Sequence, residues 1–363
     1  MTTLLANENI LFPFAEYWGF YAGFTAFVFV LLALDLGVFH RKAHAVSMKE
    51  ATAWTGIWMS LAVVFCGLLW WYCSYRFPQP DRVESVLAAG YHTPAAAAKE
   101  VALQFLTGFV VEQSLSVDNM FVFVVIFGFF HIPASLQHRI LFYGILGALA
   151  FRAVFIAIGA ALIQYKAVVI VFGAFLVFTG FKIIFTPEKE KDPEHNPILK
   201  LLRRLVPLTS KFHDQRFFVK ELAPDPHGVG KKALRWVGTP LFVALVMIEV
   251  SDIVFAVDSV PAIFAVTKEP FIVFTSNVFA ILGLRSLYFL LAGAHDKFHM
   301  LKYGLGIVLV FVGIKMTLPE SWYPESWDGH FPMGWSLAFI VGVIGGSMVL
   351  SVMLPKKHAP AKH

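Results

Sequence analysis

The sequence is short of charge. Of its 363 residues, 15% are Asp, Glu, Lys or Arg and 58% are apolar. A water-soluble domain carries nearer a quarter charged residues, so this balance excludes an ordinary soluble protein. Cysteine is scarce as well. Cys66 and Cys73 are the whole complement. They lie in one predicted helix, separated by a rise of about 10.5 Å, which a disulfide does not bridge. Free, buried thiols are expected. The first residues, Met1 to Trp18, contain Glu8 and Glu16 but no Lys or Arg, so a cleavable secretory leader is not expected.

What is abundant is apolar bulk, including 38 Phe and 9 Trp. A membrane-spanning helix needs roughly 20 mostly apolar residues. Nine segments qualify, at about 18–39, 51–72, 103–129, 140–163, 167–185, 240–265, 271–293, 303–319 and 335–354. The expected fold class is therefore an all-α polytopic membrane protein. Loop charge sets its expected orientation. Arg41, Lys42, Lys49, Arg139, Lys297, Lys302, Lys356, Lys357 and Lys362, with the basic stretch 186–239, fall on alternate sides from the acidic eighth loop, which carries Glu320, Glu325 and Asp328. The excess of Lys and Arg on cytoplasmic loops puts the N-terminus outside and the C-terminus in the cytoplasm. The stretch 186–239 is read as a solvated linker, with an amphipathic helix over Ile198 to Val206 as the alternative.

An internal repeat is visible. Glu112-Gln-Ser-Leu-Ser-Val-Asp118-Asn119 matches Asp252-Ile-Val-Phe-Ala-Val-Asp258-Ser259 in pattern. Further on, Arg152 precedes Lys182 by 30 residues, as Arg285 precedes Lys315. Gly173 and Gly180 flank Leu176-Val177-Phe178 just as Gly306 and Gly313 flank Leu309-Val310-Phe311. The third and sixth segments run in opposite directions, so the repeat is expected to be inverted, segments 3–5 against 6–8. Inverted three-helix repeats place a substrate site near the midplane where they meet. The chain thus divides into 1–102 (segments 1–2 and an outer loop), 103–185 (first repeat), 186–239 (cytoplasmic loop), 240–319 (second repeat) and 320–363 (outer loop, last helix and tail).

Five acids fall inside predicted spans: Glu112, Asp118, Glu249, Asp252 and Asp258. Each costs about 2.5–3.5 kcal/mol at a helix centre. Arg152 and Arg285 neutralise two of them, leaving a surplus for protons or a bound cation. A purely structural role, acids stapled to Arg152 and Arg285, explains two acids but not five. Lys182 and Lys315 sit nearer span ends, where a lysine snorkels. Ser114, Ser116, Asn119, Ser251 and Ser259 add short oxygen donors near the acids. Carboxylate, hydroxyl and amide oxygens suit hard divalent ions such as Mn²⁺, Mg²⁺ or Ca²⁺, and the motifs lack the His and Cys of copper and zinc sites.

Glu112 and Asp118 stand about 240° apart on a straight helix; a break over Ser116 to Asn119 would turn both inward. Pro261 frees the carbonyl of Val257, either as a ligand or as a simple kink. Asp35 pairs with the adjacent His40-Arg41-Lys42 or acts as an inner gate. Met120 and Met247 are soft ligands or packing groups. Asn277 is a further ligand or an interhelical hydrogen bond. There is no Gly-x-Gly-Asp signature, metalloprotease His pair or Ser/His pairing within the spans, so enzyme chemistry is not expected. Nor is a resident cofactor or a nucleic-acid partner. The expected partners are the bilayer and a divalent ion.

Asp35-Leu-Gly-Val-Phe-His-Arg-Lys, Glu112-Gln-Ser-Leu-Ser-Val-Asp-Asn, Phe255-Ala-Val-Asp-Ser-Val-Pro-Ala, Thr275-Ser-Asn-Val-Phe-Ala-Ile-Leu-Gly-Leu-Arg and Phe311-Val-Gly-Ile-Lys-Met resemble the TerC integral membrane family, in its Alx-like branch. The resemblance covers roughly residues 15–355. It implies a place in the LysE-type transporter superfamily and manganese export across a bacterial inner membrane. The family's motif acids fall on Glu112, Asp118, Asp252 and Asp258. The family takes its name from tellurium resistance, but an anion such as tellurite suits a carboxylate-lined site poorly.

Overall fold

In the computed structural model, residues 10–34, 47–186, 197–224, 232–292, 300–318, 322, 324 and 331–354 are described. The long helices are α1 (Phe14–Leu34), α2 (Met48–Arg76), α4 (Pro94–Phe129), α5 (Ala134–Leu162), α6 (Lys166–Phe185), α8 (Pro240–Phe264), α9 (Pro270–Ala292), α10 (Leu301–Thr317) and α11 (Met333–Met353). Eight of them are long and apolar enough to cross a membrane; α10, with 17 residues, is the ninth apolar helix. Shorter pieces are α3 (Pro80–Ala88) and α7 (Pro197–Leu205). The chain is thus an all-α polytopic membrane protein, with one addition. Residues 186–239 are not a plain linker. They hold α7 and an antiparallel hairpin, β1 (Phe218–Pro224) and β2 (Lys232–Gly238), with Phe218 opposite Gly238.

Helix starts follow ordinary capping chemistry. The hydroxyl of Ser47 accepts from Glu50 N at 3.3 Å to open α2. Thr93 accepts from Ala96 N at 3.1 Å, with Pro94 as the first residue of α4. Each satisfies an otherwise orphan donor.

Large apolar side chains face outward on α1, α2, α6 and α11, among them Phe29, Val63, Val171, Phe178 and Val352. Such a surface belongs in hydrocarbon. Exposed Trp18, Trp70, Trp71, Tyr75 and Trp335 cluster at helix ends, where aromatic rings meet the headgroup layer. Inside, α9 is enclosed: nearly all of its residues are buried, Arg285 and Asn277 among them. Helix α4 packs along α9, and α5 along α8.

The α6–α10 contact is backbone to backbone. A Cβ at Gly180 would stand 2.6 Å from the Gly306 carbonyl oxygen, and one at Gly313 would stand 2.6 Å from that of Gly173. Val310 lies against Gly180 as Val177 lies against Gly313. The helices therefore run antiparallel, and each half of the contact reproduces the other with a shift of 133 residues. Only glycine permits this approach.

Candidate functional site

The charged layer sits midway along four packed helices. Arg152 of α5 donates through Nη1 to the fully buried Glu112 of α4, and to Asn277 Oδ1 of α9 at 2.7 Å. The Asn277 amide in turn donates to Val273 O at 3.0 Å, which fixes its orientation. Asn277 is thus an interhelical hydrogen-bonding residue. Asp252 of α8 is buried within electrostatic reach of both Arg152 and Glu112. Glu249, one turn earlier, faces Asp252, and its carboxyl fills the notch left by Gly147 of α5.

Asp252 and Arg285 line a cavity of about 10 Å³, walled by Phe123, Gly144, Ala148 and Ile248 among others. That is room for about one water molecule. Each arginine therefore has an acid from the preceding repeat motif nearby: Glu112 with Arg152, Asp252 with Arg285. Among the described residues, Glu112 Oε2, Ser116 Oγ one turn along α4, Glu249 Oε2, and Ser259 Oγ further along α8 next to Asp258, are buried without a hydrogen-bond partner. A buried polar group left unsatisfied costs about 1–3 kcal/mol, so these oxygens are disposed to accept water, a proton or a hard cation. Ser114 and Ser251 donate to Val110 O (2.7 Å) and Met247 O (2.8 Å) of their own helices, which leaves only their lone pairs.

Other expected residues stand elsewhere. Asp258 is separated from this layer; it lies against Thr179 and near Lys182 of α6. Asn119 is buried on α4. The side chain of Asp118 and the whole of Asp35 lie outside the described residues. The expected break at Ser116 to Asn119 is absent: α4 is continuous from Pro94 to Phe129. No proline or glycine interrupts that stretch, and the 240° separation of Glu112 from Asp118, about two-thirds of a turn, persists. Helix α8 likewise continues past Pro261 to Phe264. Met120 and Met247 are core residues. Lys315, in the last turn of α10, reaches toward the start of α11. Its ammonium donates to Ser336 of α11 at 3.2 Å and faces Glu100. The cysteines are free, with Cys73 buried and Cys66 half-buried. Among the described residues, no three His, Cys, Asp or Glu side chains stand close enough together to hold a metal.

Two residues escaped the sequence reading. Glu269, immediately before α9, is buried and accepts from the backbone N–H of Leu11 (2.7 Å) and Phe12 (3.2 Å). Burial pushes its carboxyl up to about 7, against the opposing pull of those two donors and of Arg82. Arg82 of α3 donates to Leu11 O at 2.5 Å and to Glu16 at 3.0 Å. Together they clamp the N-terminal segment over the start of α9. The only sequence signal was an acid just before a helix-opening proline, Pro270.

The model of the integral membrane protein TerC family matches residues 97–359. The chain is 47% identical, over 96% of its length and 96% of the relative's, to an uncharacterized membrane protein of Myxococcus xanthus. It is 41% identical over 94% of its length to an Escherichia coli K12 protein, covering 95% of that protein, whose name describes it as a membrane-bound redox modulator, Alx. An uncharacterized membrane protein of Rickettsia bellii is 36% identical over 81% of this chain and 86% of its own. No solved structure matches.

Proposed function

This chain belongs to the integral membrane TerC family, and from that membership and its buried charged layer we propose that it is a secondary transporter exporting a divalent cation, Mn²⁺ foremost, from the cytoplasm. One observation carries the reading: Glu112, Glu249 and Asp252 are held among α4, α5, α8 and α9 near Arg152 and Arg285, three acids to two arginines, and among the described residues Glu112 Oε2 and Glu249 Oε2 have no hydrogen-bond partner. Acids inside a membrane default to substrate or proton pathways. In this reading the ion passes two stations, the layer of Glu112, Glu249 and Asp252 and, apart from it, Asp258 beside Thr179, with Asp118, Asn119, Ser116 and Ser259 as further oxygen donors. The donor set is all oxygen, which suits Mn²⁺ and other hard ions.

The reciprocal α6–α10 contact and the crossed pairing of α4 with α9 and α5 with α8 support an inverted repeat of α4–α6 against α8–α10. Rocking of one repeat against the other would alternate access to the site. The surplus carboxylates supply a route for proton antiport, and the loop charges support a cytoplasmic C-terminus.

The test is Mn²⁺ uptake into inside-out vesicles. Wild type is expected to accumulate Mn²⁺, faster with an acidic lumen; Asp258→Asn and Asp252→Asn at equal protein level are expected to abolish it. Indifference to the imposed pH gradient would remove the antiport step. Equal accumulation in all three proteins would remove the acidic site. A second reading, a membrane-embedded assembly or resistance factor, is favoured by the direct Glu112–Arg152 pair, in which an acid is consumed structurally. That reading requires Asp252→Asn and Asp258→Asn to leave physiological function intact.

A further inference from the structure

We propose that α7 and the β1–β2 hairpin form a docking surface for anionic phospholipid headgroups on the bilayer face where they emerge. Helix α7 reads Pro-Ile-Leu-Lys-Leu-Leu-Arg-Arg-Leu. At roughly 100° per residue its five apolar positions after Pro197 fill one continuous arc, and Lys200, Arg203 and Arg204 fill the other. The apolar arc is itself divided. Leu199 and Leu202 are buried, and the helix packs against α8. Leu201 and Leu205 are 56% and 70% exposed. Packing against the protein thus uses half of the arc and leaves the other half uncovered beside a basic edge.

The hairpin repeats the arrangement. Val219 and Val237 are buried together on one face. On the other, Leu234 and Trp236 are 65% and 61% exposed, and the Lys220 ammonium lies 5.1 Å from the centre of the Trp236 ring. At the base of that face Phe218 packs at a tilt of 46° against Phe242 in the first turn of the membrane helix α8, ring centres 4.3 Å apart. The apolar face is therefore continuous with a membrane-spanning helix.

Both elements are pinned at one point. Gly238 N donates to Pro207 O at 2.9 Å, and Thr209 N donates to Gly238 O at 3.0 Å. The Thr239 hydroxyl donates to Arg216 O at 2.7 Å. Gly238 lies two residues before Pro240, where α8 begins, so the surface cannot stray far from the bilayer. Apolar anchors flanked by Lys and Arg, fixed close to the start of a membrane helix and exposed, match the chemistry of an interfacial helix on an anionic leaflet. Trp236 and Lys220 together suit the headgroup layer. The inference does not depend on what the protein transports.

The test uses the full chain in vesicles, with Cys66→Ala and Cys73→Ala as background and an environment-sensitive fluorophore on Leu205→Cys. Vesicles of phosphatidylcholine alone are compared with vesicles containing phosphatidylglycerol, each with a spin-labelled lipid quencher. Quenching is expected with phosphatidylglycerol, and is expected to weaken with added salt and with Arg203→Glu plus Arg204→Glu. A label on the exposed Lys211→Cys, which belongs to neither apolar face, serves as the reference. The salt response of the labelled background chain needs no charge variant, so a misfolded double variant does not hide the answer. Three outcomes overturn the proposal: a Leu205 label no more quenched than that at Lys211; equal, salt-independent quenching in both vesicles, which means apolar contact alone; or a blue-shifted label that lipid does not quench, which means a protein partner covers the face.

Discussion

At the scale of single residues, the Glu112–Arg152 pair decides how the bundle tolerates charge. Removing one member of a buried pair strands the other and typically costs about 3–5 kcal/mol, whereas replacing both by apolar or neutral groups is far cheaper. Arg152→Met is therefore expected to lower the thermal unfolding temperature in detergent markedly. The double variant Glu112→Gln with Arg152→Met is expected to regain most of that loss. An equal or greater loss in the double variant would mean that the pair is not the stabilising unit.

Glu269 makes a second residue-scale prediction. Its folded carboxyl titrates at about 7, against an ordinary value of 4.5. The folded state thus holds a proton that the unfolded state has released between those values. The contribution of Glu269 to stability is greatest below pH 4.5, falls as pH rises through about 7 and is lost above, on the order of 3 kcal/mol in all. Exchange protection of the Leu11 and Phe12 amides, corrected for intrinsic rate, is expected to fall across that window. In Glu269→Gln, which does not titrate and whose single carbonyl oxygen can keep the shorter bond from Leu11, the Leu11 protection should stay level. A flat wild-type profile would refute the burial argument.

At the scale of elements, the α6–α10 crossing allows a matched experiment. Gly180 and Gly313 occupy equivalent places in a reciprocal contact, each 2.6 Å from an opposing carbonyl once a Cβ is added. Overpacking of this kind costs about 1–3 kcal/mol. Gly180→Val and Gly313→Val are expected to lower the unfolding temperature by similar amounts. Gly342→Val on α11, with open space around it, should not. Unequal losses at the two sites would mean that the contact is not reciprocal in solution.

The helices were legible in the sequence because a run of roughly 20 apolar residues is stable in few settings besides hydrocarbon. The Gly-x₆-Gly spacing of both repeats was legible too, as was the kind of residue that would sit in the charged layer. Partnership was not legible. Arg152 meets Glu112 and Asn277 only because α5 is packed against α9, and α9 against α4, which no local pattern states. The hairpin was hidden for a different reason. Its alternating Val219, Val237, Leu234 and Trp236 are interleaved with Lys220, Glu221 and Arg235, and a charged stretch between membrane spans reads as a loop. The expected break in α4 failed because it was inferred from what a site would need, whereas nothing in Ser116 to Asn119 opposes a helix.

At the scale of the whole molecule, polarity is arranged in reverse of a soluble protein. The perimeter helices α1, α2, α6 and α11 turn Phe, Val, Leu and Ile outward, while the most enclosed helix, α9, holds Asn277, Arg285 and the hydroxyls of Thr275, Ser276 and Ser286. It is also the least apolar of the eight long spans. An arginine at a helix centre costs about 2.5–3.5 kcal/mol on entering lipid, and α9 in the finished protein touches almost none. Synthesis presents it after α4, α5 and α8, the helices that supply Glu112, Arg152 and Asp252. By then Asp252, which lines the same small cavity as Arg285, is already part of the chain, so the order of translation puts a counter-charge within reach before the arginine that needs it arrives.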